Sequence, residues 1–215
     1  MGPRAADIDA RSGRGDDGTG RQVAIMDAPL SRSAPLLSID RAFLARSGEV
    51  YRIRPIRRSD EAALRDMFRR CSAEDLRLRC FGISKTFPEV FANRLAGLTG
   101  GTEFAIAAVA PSGEIGGVVH AVGLPGAAGD ADYDIMVRTD LKGQGIGARL
   151  MRDMLSEAVR SGFTAVHGDV MMANRAMLLL AGDLGFRRIG MEGGVVRIAA
   201  HPSADPSAPR GLADA

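Results

Sequence analysis

Residues 142–148 read Lys142-Gly143-Gln144-Gly145-Ile146-Gly147-Ala148. They lie between a strand-like stretch, Asp132 to Arg138, and an amphipathic run whose apolar face is Ile146, Leu150, Met154, Leu155 and Ala158. Glycine at alternate positions lets the backbone approach a ligand closely, and free N–H groups at a helix N-terminus form an anion site. A pyrophosphate fits such a turn. A Walker loop would require GlyLys followed by Ser or Thr, and the dinucleotide fingerprint requires GxGxxG where this chain has GxGxG. ATP and NAD are therefore weaker candidates than CoA, and a close-packed turn with no ligand is the plain alternative.

Working outward, VYRIRPI (50–56) alternates as a strand does, and Ser59, Asp60 and Glu61 open a helix carrying Ala62, Leu64, Met67 and Phe68. Two further helical patterns follow, around Asp75 to Arg79 and Pro88 to Leu95. EFAIAAVA (103–110) and EIGGVVHAV (114–122), joined by Pro111-Ser112-Gly113, predict a hairpin. After the glycine turn and its helix come a strand over 165–170, a helix from Asn174 to Leu184, and strands near Phe186 to Ile189 and Val195 to Ile198. The fold class is α/β (α+β): a single mixed, mostly antiparallel central sheet flanked by helices. The domain is expected over 49–199. Residues 1–48 are expected to be a disordered tail with a possible short helix near Leu36 to Leu44, and 200–215 a second tail.

Composition narrows the function. The 28 basic and 26 acidic residues leave a net charge of +2 and no broad footprint for nucleic acid or an anionic membrane. No apolar run reaches the roughly 20 residues that span a bilayer. The start lacks the apolar centre of a secretory signal, so the expected compartment is cytoplasmic. Cys71 and Cys80 are too few for a disulfide scaffold, lack the further ligands of a zinc site and read as ordinary thiols, so no metal is expected. His120 and His167 read as core or edge histidines.

The turn resembles the pyrophosphate loop of the GNAT superfamily of acyl-CoA-dependent N-acyltransferases: Gln or Arg, two residues, Gly, one residue, then Gly or Ala. Gly145 and Gly147 match it, and Lys142 stands where the family usually has Gln or Arg. Element order over Tyr51 to Arg197 is also the family's. A finer resemblance, in IRPIRRSDEAALRDMF, CSAEDLRLRCFG and VMMANRAMLLLAGDLGF, is to bacterial protein-lysine acetyltransferases that act on acyl-CoA synthetases. The resemblance implies acetyl-CoA as donor, held by Lys142 to Ala148 and by Asn174, with the amides around Met136 and Val137 polarising the thioester. It places Asp132 where the subfamily carries a catalytic Glu, with Asp134 in reserve as base. The two aspartates share one face of their strand, while Tyr133, Ile135 and Val137 share the other. Ala181 stands where many members have a general-acid Tyr. The implied reaction is direct attack by a protein lysine in a ternary complex, in a monomer or homodimer. The alternatives are a small-amine acceptor and a non-catalytic acyl-CoA sensor.

Overall fold

The computed structural model describes residues 39–80, 87–98 and 101–203. Eight strands form one sheet: β1 (Arg41–Leu44), β2 (Val50–Pro55), β3 (Glu103–Val109), β4 (Ile115–Gly123), β5 (Asp130–Val137), β6 (Ala165–Met171), β7 (Arg187–Glu192) and β8 (Val195–Ala200). Their order across the sheet is β1-β2-β3-β4-β5-β6-β8-β7. Every neighbouring pair is antiparallel except β5 and β6, which are parallel. The helices are α1 (Glu61–Arg69), α2 (Ala73–Cys80), α3 (Phe87–Ala96), α4 (Ile146–Arg160) and α5 (Arg175–Asp183). This is the mixed, mostly antiparallel sheet expected from the order of strands and helices in the sequence.

Each face of the sheet buries its own apolar layer. Leu64, Met67 and Phe68 of α1 and Phe91 and Leu95 of α3 pack on Ala105, Ala107, Ile115, Val118 and Met136. Ile146, Leu150, Met151 and Met154 of α4 pack on the opposite face, against Ile53, Ile106, Ala108 and Val119. β3 is buried along its whole length, which explains the apolar run from Phe104 to Val109 after its single charged residue, Glu103. Gly117 sets the depth of α4. A Cβ there would lie 3.1 Å from Leu150 and 3.2 Å from Ile146, so the absent side chain lets the helix seat close to β4.

One expectation for the N-terminal region is corrected. Arg41–Leu44 forms no helix; it is an edge strand, with Phe43 opposite Tyr51 on β2. The otherwise open edge of β2 supplies ladder bonds for these residues, and Arg52 grips Asp40 with two hydrogen bonds of 2.5 and 2.8 Å. The folded unit therefore takes in residues from Ile39, itself buried, onward. Residues 1–38 and 204–215, and with them most of the two expected tails, lie outside the described residues.

The turn from β2 into α1 is fixed by a buried ion pair. Arg54 donates to both carboxylate oxygens of Asp60 at 2.6 and 2.9 Å, and the Arg57 amide donates to the same carboxylate at 2.7 Å. Burial would raise the Asp60 pKa, but the hydrogen bonds from Arg54 and Arg57 outweigh it and hold it below the usual value. A depressed folded-state pKa gives stability that is present above the unfolded value near 3.9 and is lost as pH falls through the folded one. Asp60→Ala, which strands the Arg54 charge, is expected to cost about 3–5 kcal/mol in urea unfolding at neutral pH. The difference from wild type should shrink as the pH is lowered below about 4.

Candidate functional site

After β5 the chain makes a 3-10 turn at Thr139–Leu141 and enters the glycine turn. Gly143 and Gly145 have φ of 76° and 88°, left-handed values that a side chain resists. Gly145 caps α4, and the first helical closure is the Arg149 amide donating to the Gly145 carbonyl at 3.0 Å. The amides before Arg149 have no carbonyl four residues back to bond, so they point their partial positive charge out of the helix end. No acidic residue stands in the first turn of α4 to compete for them.

The neighbours of this turn divide the work in a way the sequence does not show. Lys142 is committed to Asp75 of α2, which also accepts from Thr139 Oγ1 at 2.5 Å. Burial pushes the Asp75 pKa up, yet the hydrogen bonds from Lys142, Thr139 and Ser72 bring it below the ordinary value. The cation that reaches the turn from its other side is Arg46. Its amide donates to the Gln144 carbonyl and its Nη1 to the Gly143 carbonyl, both at 3.1 Å. Phe43 lies under Gly145, where a Cβ would be 3.4 Å from its ring, and the Arg149 guanidinium stands over the same ring at 5.9 Å. Ninety-seven positions separate Arg46 from Gly143, and no local pattern joins them.

The turn opens into a cleft of about 480 Å³. Its walls are Ile135, Met136 and Val137 of β5, Lys142, Gly143 and Gly145 to Ala148, Asn174 with Met177 and Leu180 of α5, and Arg46. Gln144 is absent from the lining. Asn174 is the N-cap of α5, its side-chain oxygen accepting from the Met177 amide at 3.2 Å, so its amide nitrogen is left over for other partners.

The cleft exists because β5 and β6 part. They pair only at Asp130, Ala131 and Asp132, opposite Ala165, Val166 and His167, while β5 stays paired to β4 and β6 to β8 beyond that point. At the first position past the last pair, the Tyr133 ring occupies the space over Gly168, where a Cβ would meet it at 2.4 Å. The ring also leans on Phe186, centroid to centroid 5.3 Å, and its hydroxyl is buried with no hydrogen-bond partner among the described residues. The Arg138 amide donates to Gly116 of β4 at 2.9 Å. By strand alternation the Met136 amide joins the same ladder, and the Ile135 and Val137 amides face the opened edge. Of the two amides expected at the thioester, Val137's has the open orientation.

Asp132 and Asp134 are buried on the α1/α3 face of the sheet, and neither belongs to the cleft lining. Arg197 of β8 donates to Asp132 at 3.0 Å and to Asp169 of β6 at 2.9 Å, bridging the parting strands. Ala181 is buried, its carbonyl accepting from the Phe186 amide at 3.0 Å. Burial, followed by the nearby Asp75 charge, pushes the Cys71 thiol up to about 11, so it is protonated near neutral pH and poorly suited to attack. Among the described residues no group of three His, Cys, Asp or Glu side chains is placed to hold a metal ion, and no helix is long and apolar enough to cross a membrane.

Comparison with known proteins places this geometry. The model of the acetyltransferase (GNAT) family matches residues 64–186, more than half of the chain. The chain belongs to the GNAT family of N-acetyltransferases. Its fold is shared with the GNAT domain of S. lividans PAT, at 22% identity and a TM-score of 0.69 over 79% of this chain and 99% of that one. It is also shared with the ribosomal-protein-S5-alanine acetyltransferase of Vibrio fischeri, at 18% identity and a TM-score of 0.61 over 71% and 93% of the two chains. A spermidine N-acetyltransferase of Vibrio cholerae, solved with CoA and spermine, has 15% identity and a TM-score of 0.57 over 70% and 94%. Family members join acyl-CoA donors to amine acceptors.

Gly168→Ala is expected to cost about 1–3 kcal/mol, because the new methyl must displace the Tyr133 ring. Tyr133→Leu in the same chain should return part of that loss in thermal unfolding.

Proposed function

We propose that this chain transfers an acetyl group from acetyl-CoA to the side-chain amine of a protein lysine, by direct attack with donor and acceptor bound together. The observation that carries the donor half is the meeting of two backbone features in one cleft. Unbonded amides of the α4 N-terminus suit a pyrophosphate, and the open edge of β5 offers amides to an extended, amide-bearing arm. The bound thioester supplies an activated acyl group. Gly143, Gly145 and Gly147 leave room for the phosphates, Arg46 and the helix end balance their charge, and Asn174 offers its amide nitrogen beside them. The Val137 amide is the donor placed to polarise a carbonyl at the opened edge.

An acceptor lysine has an ordinary pKa near 10.4 and must lose a proton before it can attack. A carboxylate acting directly or through water contributes about 10² to 10⁴ in rate. Of the three acids on β5, Asp130 meets His167 at 3.1 Å, and Asp132 and Asp134 are the candidates for this role. Arg197 donates to Asp132 at 3.0 Å, and Asp134 stands opposite His120 of β4. The protein-lysine acceptor rests on the three-segment likeness to lysine acetyltransferases, and a small amine is the second reading.

The deciding experiment incubates the protein with labelled acetyl-CoA and a cytosolic extract, following label in proteins and CoA thiol release together. Discrete lysine-labelled proteins are expected. Thiol release only with small amines such as spermidine would replace the protein acceptor, and tight donor binding without release in any mixture would leave a sensor. Arg46→Ala should weaken acetyl-CoA binding about fivefold in calorimetry, roughly the loss of 1 kcal/mol from one charge-assisted contact.

A further inference from the structure

Beneath α3 a line of polar side chains crosses the apolar face of the sheet. Glu103 on β3 is 2% exposed and His120 on β4 is 1% exposed. His120 Nε2 lies 2.8 Å from Glu103 Oε1, and the same oxygen accepts from Arg94 Nη2 of α3 at 2.6 Å. Because a carboxylate accepts, the imidazole carries a proton on Nε2, and in its neutral form Nδ1 presents a lone pair. Phe91 holds the ring edge-on from above, at 6.0 Å between centroids. Yet His120 Nδ1 and Glu103 Oε2 are buried without a hydrogen-bond partner among the described residues. A buried polar atom left so costs free energy, and such exceptions call for a reason.

The ladder supplies one. Asp134 stands directly opposite His120, on the same face of the sheet, and Asp132 stands opposite Val122, one step further along that face. Opposed residues of an antiparallel pair have Cα atoms roughly 4.5–5.5 Å apart, a spacing that one bridging water between these two side chains can close. The order across the sheet is then Arg94, Glu103, His120, Asp134, ending on the strand that walls the cleft. Among the described residues, charged and titratable groups stand on the imidazole's face of the sheet from α3 (Arg94), β3 (Glu103) and β5 (Asp134, then Asp132). Of the other helices on this face, α1 contributes Leu64, Met67 and Phe68 to the buried layer and α2 packs Leu76 against it, its Asp75 carboxylate being engaged by Lys142 and Thr139.

We infer that His120, oriented by Glu103, is the proton-accepting partner of Asp134 during acyl transfer. The inference rests on the N-acyl transfer reading above. The acceptor ammonium gives a proton to the Asp134 carboxylate, which passes it to His120 Nδ1. The imidazolium so formed is stabilised by Glu103, whose charge Arg94 balances. The freed amine lone pair forms the C–N bond while the C–S bond breaks and its electron pair leaves on the thiolate. His120 acts through Asp134 and is a positioning residue, and Asp134 is the catalytic residue.

The test measures kcat and KM between about pH 6 and pH 10 for wild type, His120→Gln and Asp134→Asn with one amine acceptor. Acetyl-CoA affinity and thermal unfolding are measured on the same preparations. His120→Gln should bind acetyl-CoA within about twofold of wild type, lose kcat about 10²-fold near pH 7, and regain most of it near pH 10, where the amine deprotonates unaided. Asp134→Asn should show the same pH-dependent loss, which keeps the test available if the histidine variant fails to fold. A folded variant of either residue with the wild-type kcat and pH profile overturns the inference. Wild type that binds acetyl-CoA yet acylates no amine removes the transfer reading itself, and the inference with it.

Discussion

Three residue pairs join β5 to β6, and the bonds the two strands do not make beyond Asp132 and His167 organise the rest of the molecule. Backbone amides in a sheet interior are ordinarily all paired, since leaving one dry and unbonded costs free energy. Here each strand keeps its outer partner, β4 for β5 and β8 for β6, so the sheet tolerates an internal edge without coming apart. Tyr133 wedges the gap from one face and Arg197 spans it from the other. The opening is thus a built feature with a steric cause on one side and an electrostatic tie on the other.

The glycine turn depends on the same geometry. β5 ends beside the opening, and the 3-10 turn delivers the N-terminus of α4 to its mouth, so helix charge and unbonded strand amides meet in one cleft. The depth of α4 follows from Gly117, because a bulkier residue on β4 would lift the helix off the sheet. The site is therefore specified as much by absent side chains, at 117, 143, 145 and 168, as by any group it presents.

How far this was readable in advance depended on the range of each interaction. The apolar stretches 103–110 and 114–122 on either side of Pro111-Ser112-Gly113, the glycine spacing at 142–148 and the Asn174 cap are local patterns, and the sequence displays them directly. The pairing of Asp132 with Arg197 spans 65 positions, and that of Glu103 with His120 spans 17 across a strand turn, so neither leaves a periodic trace. Phe43 and Leu44 were visible as an apolar patch, but a short patch cannot distinguish a helix from an edge strand; the free edge of β2 decides it. Lys142 was legible as a cation in the right place, whereas its engagement by Asp75 belongs to the packing of α2.

The contact of Arg46 with the glycine turn ties the outermost strand to the cleft. β1 is held by four residue pairs with β2, and beyond them by Phe43 and Arg46 against residues of the turn. An anion that binds Arg46 together with the helix end gains that affinity only while β1 is docked. By reciprocity it stabilises docking by the same free energy. A short edge strand of modest intrinsic stability thereby becomes a reporter of occupancy. Whatever engages the chain before Ile39 and pulls β1 from the sheet would lower donor affinity from a distance, without touching the cleft.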